Sequence, residues 1–161
     1  MVVMRIVVMS DTHLNHPTEE FKRICERYCD PADLVVHLGD WARSSLLDFM
    51  EAYPLEAVAG NMDDHAIVQR LPAKKVIRVG RFRLGIIHGW GASRDLRRRL
   101  AGEFADVDAV LHGHTHLPHV ERDNGVLWFN PGSVFLGRGE LHGSLGILHV
   151  DEELRGEIIA L

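Results

Sequence analysis

The chain has 161 residues, of which 46% are hydrophobic and 25% are charged. This length suits one domain with a buried core, and we expect residues 1–161 to form it. The formal net charge of −5 argues against a general polyanion-binding surface, so nucleic acid is not an expected partner. Because no apolar run is long enough to span a bilayer and no secretory signal pattern is present, we expect no membrane partner and a cytoplasmic location.

The first half of the chain alternates short apolar runs with helical patterns. This alternation predicts a parallel α/β unit with right-handed crossovers. The predicted elements are strand 5–9, a helix beginning near residue 17 and ending before residue 30, strand 34–38, helix 45–51 and strand 55–59.

The second half is richer in strands, with Gly80-Arg81 and Asp123-Asn124-Gly125 as predicted hairpin turns. A single helix is predicted there, with Ser93 as a candidate N-cap and three residues at fourfold spacing facing inward: Leu96, Leu100 and Phe104. The predicted strands are 75–79, 82–87, 109–111, 119–122, 126–129, 144–150 and 154–160.

Metal-competent side chains follow strand after strand in this pattern. In an open α/β sheet, residues beyond the carboxyl ends of the strands gather at one edge. Glycines beside several of these side chains permit tight turns and close backbone approach: Gly39, Gly60, Gly89 and Gly113. The candidate ligands are Asp11, His13, Asp40, Asn61, His88, His114 and His116.

Imidazole, carboxylate and amide ligands suit borderline-to-hard divalent cations. We expect Mn²⁺ first, with Ni²⁺, Fe²⁺, Co²⁺ or Zn²⁺ as alternatives. The seven side chains supply enough ligands for two divalent metal ions and leave positions open for a substrate. A pair of cations about 3.5–4 Å apart can hold a shared hydroxide and neutralise phosphate oxygens. The pattern therefore indicates a phosphoesterase that acts on a small phosphate ester.

Five sequence blocks resemble, in order, those of the calcineurin-like metallophosphoesterase superfamily. Asn130-Pro131-Gly132-Ser133 and the compact length are similar to its small bacterial and archaeal phosphodiesterase branch. The resemblance covers nearly the whole chain and implies an α/β fold, a four-layer αββα sandwich of two mixed β-sheets flanked by helices. The blocks are Ser10-Asp11-Thr12-His13, His37-Leu38-Gly39-Asp40, Gly60-Asn61, His88-Gly89 and Gly113-His114-Thr115-His116.

The resemblance also implies a dinuclear metal centre and divides the ligands, which the residues alone do not. A hydroxide that bridges the metals would attack phosphorus in line with the departing alkoxide. Asp40, Asn61 and His88 are thereby the predicted catalytic residues, because they activate the bridging water through the metals. One ion would be held by Asp11, His13 and His116, the other by Asn61, His88 and His114, with Asp40 as the bridge.

One departure from the family pattern concerns the leaving group. Many members carry His directly after the Asn of the third block, but this chain has Met62 there. Weaker protonation of the leaving group predicts a preference for good leaving groups and for diesters over monoesters. Three further residues are candidates for substrate binding: His16, His65 and Arg138.

Other prominent side chains have ordinary structural interpretations. The three tryptophans are expected in the core or in a pocket wall, and two of them are candidate walls of the site because each stands beside a ligand block: Trp41 and Trp90, with Trp128 as the third. Three histidines within strands are expected to pack in the core or support ligands: His37, His112 and His149. An arginine run is expected to form a solvated helix face: Arg94, Arg97, Arg98 and Arg99.

Two other functions stay open at this point. A eukaryotic retromer subunit with this scaffold serves chiefly in protein interaction, so one alternative is a non-catalytic interaction scaffold; the complete set of ligands disfavours it. The other alternative is a nuclease, which the acidic charge disfavours. The physiological substrate, native metal and oligomeric state stay open, although a homodimer or larger homo-oligomer is common among similar proteins.

Overall fold

A computed structural model describes residues 3–135 and 143–161. None of the helices in these residues is both long enough and apolar enough to cross a membrane. The elements are β1 (Met4–Met9), α1 (Glu19–Tyr28), β2 (Leu34–His37), α2 (Ser44–Met50), β3 (Leu55–Ala57), α3 (His65–Arg70), β4 (Lys74–Val79), β5 (Phe82–Ile87), α4 (Leu96–Ala101), β6 (Ala109–His112), β7 (His119–Asp123), β8 (Val126–Asn130), β9 (Ser144–Val150) and β10 (Leu154–Ala160).

Within the described residues, the strands form two mixed sheets of five strands each. The first has the order β10-β9-β1-β2-β3, in which β1, β2 and β3 are parallel and β9 and β10 are antiparallel. The second has the order β4-β5-β6-β8-β7, in which β5, β6 and β8 are parallel and both edge strands are antiparallel. The predicted α/β class with two mixed sheets is confirmed.

Strand β1 shows how the layers are built, because it is buried on both faces. Ile6 and Val8 enter the apolar core between the two sheets, while Val7 and Met9 enter a second core beneath α1, α2 and α3. Helix α4 covers the outer face of the other sheet through a third apolar cluster that includes Leu96. The layers are therefore helices, sheet, sheet and helix, as the predicted four-layer sandwich requires.

Two helices differ from the sequence prediction. Helix α3 was not predicted, because its six residues are too few for a clear periodic pattern; its N-cap is Asp64, whose side chain accepts from the N–H of Ile67. Ser93 is not the N-cap of α4, so that prediction is wrong. Asp95 takes this position with a φ of 63° and makes no side-chain cap, and the helix ends at Ala101, before Phe104.

Candidate metal centre

The loops that follow the parallel strands of both sheets bring five of the seven predicted ligands together. Within the described part of the chain, these residues form two groups. In each group, the ligand atoms all lie within 4.8 Å of one another. Both groups contain Asp11. The first is Asp11, His13 and His116, and the second is Asp11, Asp40 and His88.

Asp11 presents one carboxylate oxygen to the site and has the other held by the protein. Its Oδ1 lies 3.2 Å from Nε2 of His116, 3.6 Å from that of His13 and 3.7 Å from that of His88. This Oδ1 atom is buried without a hydrogen-bond partner. In contrast, Oδ2 accepts from the hydroxyl of Ser10 at 2.5 Å and from the N–H of His114 at 3.2 Å. A buried, unpartnered anionic oxygen is unfavourable unless a cation binds it.

His88 has the orientation and tautomer of a metal ligand. Its Nδ1 lies 2.8 Å from the carbonyl oxygen of Leu38, and because a carbonyl can only accept, Nδ1 carries the proton. The lone pair is then on Nε2, which is buried without a hydrogen-bond partner and lies 3.2 Å from Oδ2 of Asp40. Metal-bound histidines commonly have their second ring nitrogen fixed by such a hydrogen bond.

Asp40 is a member of the second group and also faces His13 of the first group. Its Oδ1 accepts from the backbone N–H of Met62 at 2.8 Å, which leaves Oδ2 facing the site. Oδ2 is 3.2 Å from Nε2 of His88 and 3.9 Å from Nε2 of His13. Asp40 can therefore reach toward both sides of the site, as the bridging role inferred from the resemblance would require.

The electrostatics of the site favour positive charge. Burial opposes ionisation of Asp11, but His13, His88 and the Ser10 hydroxyl together hold the pKa of Asp11 well below its usual range. Burial likewise lowers the pKa of His88, yet the carboxylates of Asp40 and Asp11 outweigh it and raise that pKa above its ordinary value. Two buried carboxylates surrounded by imidazole nitrogens form a donor set that fits divalent cations.

Five of the predicted ligands have left-handed backbone conformations, which are uncommon for residues other than glycine. Asp, Asn and His tolerate this region better than most side chains, but it still stores strain, and such strain clusters at functional sites. Gly39, at a φ of 98°, is needed for a related reason, because a methyl group there would collide with the backbone of Gly60. The φ angles are 56° at Asp11, 48° at His13, 57° at Asp40, 74° at His114 and 63° at His116.

Asn61 and His114 are the remaining predicted ligands, and His114 is not a member of either group. Asn61 is exposed and lines a cavity together with His88. The ring of His114 packs against that of His88 with 5.4 Å between centroids, and its Nε2 lies 2.7 Å from the carbonyl oxygen of Gly91. That carbonyl assigns the proton to Nε2 and leaves the lone pair of His114 on Nδ1.

The predicted substrate contacts receive no support from the geometry. His16 and His65 are exposed, and neither side chain forms a hydrogen bond or ion pair with the described residues. Arg138 lies outside the described residues.

The two tryptophans beside ligand blocks have different positions. Trp41 is fully buried and stacks on His37 with 3.6 Å between ring centroids, so it is a core residue, the first of its two predicted positions, and does not wall the site. Trp90 is 42% exposed and lines the same cavity as Asn61 and His88.

The arginine run is not simply a solvated face. Arg97 lies over the ring of Trp128 at 5.3 Å and pairs with Glu121, while Arg99 donates to the carbonyl of Trp90 at 2.7 Å. The earlier interpretation is therefore wrong for these two residues, because it considered the helix without the neighbouring strand and loop.

The three histidines within strands differ in their burial and in their contacts. His37 is buried and supports its own turn by accepting from the N–H of Gly39 at 3.1 Å, and His112 is buried beside Trp128. His149 is only half-buried and pairs at 2.9 Å with Glu157 on the neighbouring strand, so its assignment to the core is wrong.

Asp63 is a positioning residue that the sequence analysis missed. Its carboxylate accepts from the backbone N–H groups of Gly60 at 2.6 Å, Asp40 at 3.0 Å and Ala42 at 3.0 Å. It thereby ties the loop after β2 to the loop after β3. The local sequence carries no signal for this role, because the role depends on a contact between two loops.

The Asn130-Pro131-Gly132-Ser133 block supports the ligand loops from the opposite side. Asn130 donates to the hydroxyl of Thr115 at 2.9 Å, and the hydroxyl of Ser133 donates to the carbonyl of Asp11 at 2.8 Å. Sequence analysis recognised this block but assigned it no role.

Comparison with known proteins agrees with the geometry. The model of the calcineurin-like phosphoesterase superfamily domain matches residues 4–153. A probable metallophosphoesterase of Methanocaldococcus jannaschii is 32% identical in an alignment that covers 98% of this chain and 82% of that protein. A Thermotoga maritima protein with a solution structure is 32% identical, with a TM-score of 0.74 over 98% of this chain and 99% of that one.

Vps29 of Chaetomium thermophilum also has this fold, with a TM-score of 0.74 over 98% of this chain and 97% of that one. At 19% identity, this likeness shows the fold alone. The family match and the two ligand groups support a metal-dependent phosphoesterase. The chain belongs to the calcineurin-like phosphoesterase superfamily.

Proposed function

We propose that this protein is a phosphodiesterase with two divalent metal ions, Mn²⁺ preferred, at the site around Asp11 and Asp40. The observation that carries the proposal is the pair of ligand groups that share Asp11. Oδ1 of Asp11 and Nε2 of His88 are buried in these groups without hydrogen-bond partners, which supports bound cations. Asn61 and His114 complete the proposed set of seven ligands, with Asp40 as the bridge.

Bound divalent ions would lower the pKa of a water bound to them and would neutralise the charge on phosphate oxygens. The contribution of the chain is to hold its ligand atoms in place. The carbonyl of Leu38 fixes the ring of His88, and the N–H of Met62 fixes one oxygen of Asp40. Because these partners are backbone groups, the ligands need little reorganisation during the reaction.

The residue that follows Asn61 in the third sequence block is the basis of the proposed substrate preference. Met62 is 63% exposed at the position where many family members carry His, and a thioether cannot donate a proton to a leaving group. A positioned general acid contributes about 10²–10⁴-fold to a rate. We therefore propose a preference for good leaving groups, and for phosphodiesters over monoesters.

The test compares bis(4-nitrophenyl) phosphate with 4-nitrophenyl phosphate, using protein loaded with Mn²⁺ and analysed for metal content. The diester should turn over faster, and Asp40→Asn should lose both metal and activity. Asp48→Asn is the matched control, because Asp48 is an exposed carboxylate that pairs with Arg70 on the surface. Faster monoester turnover would overturn the diester preference. Retention of metal and rate in Asp40→Asn would overturn the site, whereas absence of turnover in the Mn²⁺-loaded wild type would favour an interaction scaffold.

Several finer statements belong to the same proposal. His16, His65 and Arg138 are proposed substrate contacts, residues 1–161 are proposed to form one domain, and the location is proposed to be cytoplasmic. A homo-oligomer is proposed as well, which light scattering would test.

A further inference from the structure

A cavity of about 450 Å³ opens beside the candidate metal centre and shares His88 with it. This volume lies in the range of small-molecule sites. Asn61 and His88 line it on the side of the metal centre, and the remaining wall is largely apolar. We call it the Trp90 cavity; its apolar lining includes Val68, Leu71, Ile87 and Trp90.

We propose that the Trp90 cavity receives an uncharged, preferably aromatic, ester group of the substrate, and that Trp90 is its specificity-determining residue. This inference rests on the proposed function, because it places the phosphorus of the substrate at the metal centre. It adds the chemical class of the organic group, which the ligands themselves do not select.

Two of the apolar side chains of the cavity, those of Trp90 and Val68, are exposed and available to a ligand. Trp90 is 42% exposed and Val68 is 52% exposed, although large apolar side chains are normally buried when the fold offers a place for them. Exposed apolar surface at the rim of a polar site indicates a binding surface for an apolar group. An indole ring also offers a flat face on which an aromatic ring can stack.

Charge excludes a second anionic group from the same space. Lys74 is a positively charged side chain among the described lining residues. Its Nζ lies 2.7 Å from Oε2 of Glu103, which lines the cavity as well. Among the described lining residues, no unpaired lysine or arginine is therefore left to bind a carboxylate or second phosphate. The cavity suits an uncharged substituent.

The loop that carries Trp90 is held from two sides. Arg99 donates to the carbonyl of Trp90 at 2.7 Å, and Nε2 of His114 donates to the carbonyl of Gly91 at 2.7 Å. The second bond joins the loop to a predicted metal ligand. Trp90 thus stands at a defined place relative to the metal centre, as a specificity residue must.

The experiment measures binding of phenylphosphonate and methylphosphonate to Mn²⁺-loaded protein by calorimetry. Both probes carry the same phosphonate group and no ester bond, so the ratio of their affinities reports the organic group and does not depend on turnover. Partial burial of a phenyl ring should make phenylphosphonate bind about tenfold more tightly in the wild type. Trp90→Ala should reduce the ratio to about twofold or less, and Trp90→Phe should restore most of it.

Leu117→Ala is the matched control, because Leu117 is 65% exposed beside His116 but does not line the cavity. Leu117→Ala should leave the affinity ratio unchanged. A fall in this variant as large as that in Trp90→Ala, or a ratio near one in the wild type, would overturn the assignment of the Trp90 cavity. If the ratio behaves as expected but the protein hydrolyses no phosphodiester, the proposed function fails and the cavity assignment stands. If the protein hydrolyses phosphodiesters but the Trp90→Ala ratio equals that of the wild type, the proposed function stands and the assignment fails.

Discussion

Replacing Asp63 by Asn should loosen two ligand loops at once. Oδ2 of Asp63 accepts from the backbone N–H groups of Gly60 and Asp40, and Oδ1 accepts from that of Ala42. An amide has a single acceptor oxygen, so Asn can keep the two bonds at one end only by turning its NH₂ group toward the N–H of Ala42. Two donors then face each other in a part-buried place.

The size of the effect follows from two opposing contributions. An unpaired, buried N–H group costs about 1–3 kcal/mol. Burial raises the pKa of Asp63, so the charged carboxylate is itself unfavourable there, and Asn relieves part of that penalty. We therefore expect a net loss of about 1–2 kcal/mol, which in a chain of this length lowers Tm by about 2–8 °C. Affinity for Mn²⁺ should fall about tenfold, as is usual when a group that orients a ligand is changed.

Urea unfolding of the metal-free protein and calorimetric titration with Mn²⁺ measure the two effects separately. Asp64→Asn is the matched control, because Asp64 also accepts two backbone N–H bonds, from Ile67 at 3.0 Å and from Ser44 at 3.2 Å. It should lose comparable stability and keep its metal affinity, since neither bond reaches Asp40. Equal changes in metal affinity in the two variants would refute the reasoning that Asp63 positions the ligand loops.

Three further predictions concern individual histidines and the shared carboxylate. His116→Ala should lower the bound metal from the proposed two ions per chain to one, whereas Asp11→Asn should remove both, because Asp11 belongs to both ligand groups; elemental analysis that shows equal losses would contradict this. His13→Gly should be about 0.5–1 kcal/mol more stable to urea than His13→Ala, because a φ of 48° favours glycine, and the reverse order would contradict a left-handed conformation. Burial lowers the pKa of His37 from 6.5 to about 3, so the unfolded chain takes up a proton first as the pH falls below 6.5. Between pH 7 and pH 5 this should cost the native state about 2 kcal/mol, and urea unfolding of His37→Asn should show a correspondingly smaller loss.

The sequence was sufficient for most of the fold because its strands are short apolar runs with clear ends. Strands β9 and β10 were predicted with their observed bounds, and the turn at Asn124 and Gly125 has the positive φ angles that this hairpin type requires. The ligand groups could be anticipated because the ends of parallel strands converge. Helix α3 could not, because six residues leave little periodicity to detect.

Contacts between distant segments were beyond the sequence analysis. The role of Asp63 depends on the separation between two loops, and nothing in its local sequence reports that distance. The same is true of Arg97, whose position over Trp128 joins α4 to β8. Arg97 was predicted to lie on a solvated face because a charged side chain is usually solvated, and only a tertiary contact shows the exception.

The metal centre also connects the two halves of the sandwich. Asp11 and Asp40 follow strands of the first sheet, whereas His88 and His116 follow strands of the second, so a cation bound between them would join the sheets across their common edge. The carboxylates raise the pKa of His88, which means that protons and cations compete for the same lone pair. Metal affinity should then fall as the pH is lowered through that raised pKa, because a cation that binds His88 must displace the proton held there. A bound divalent cation would therefore compensate the two buried carboxylates more fully than the single proton of His88 can.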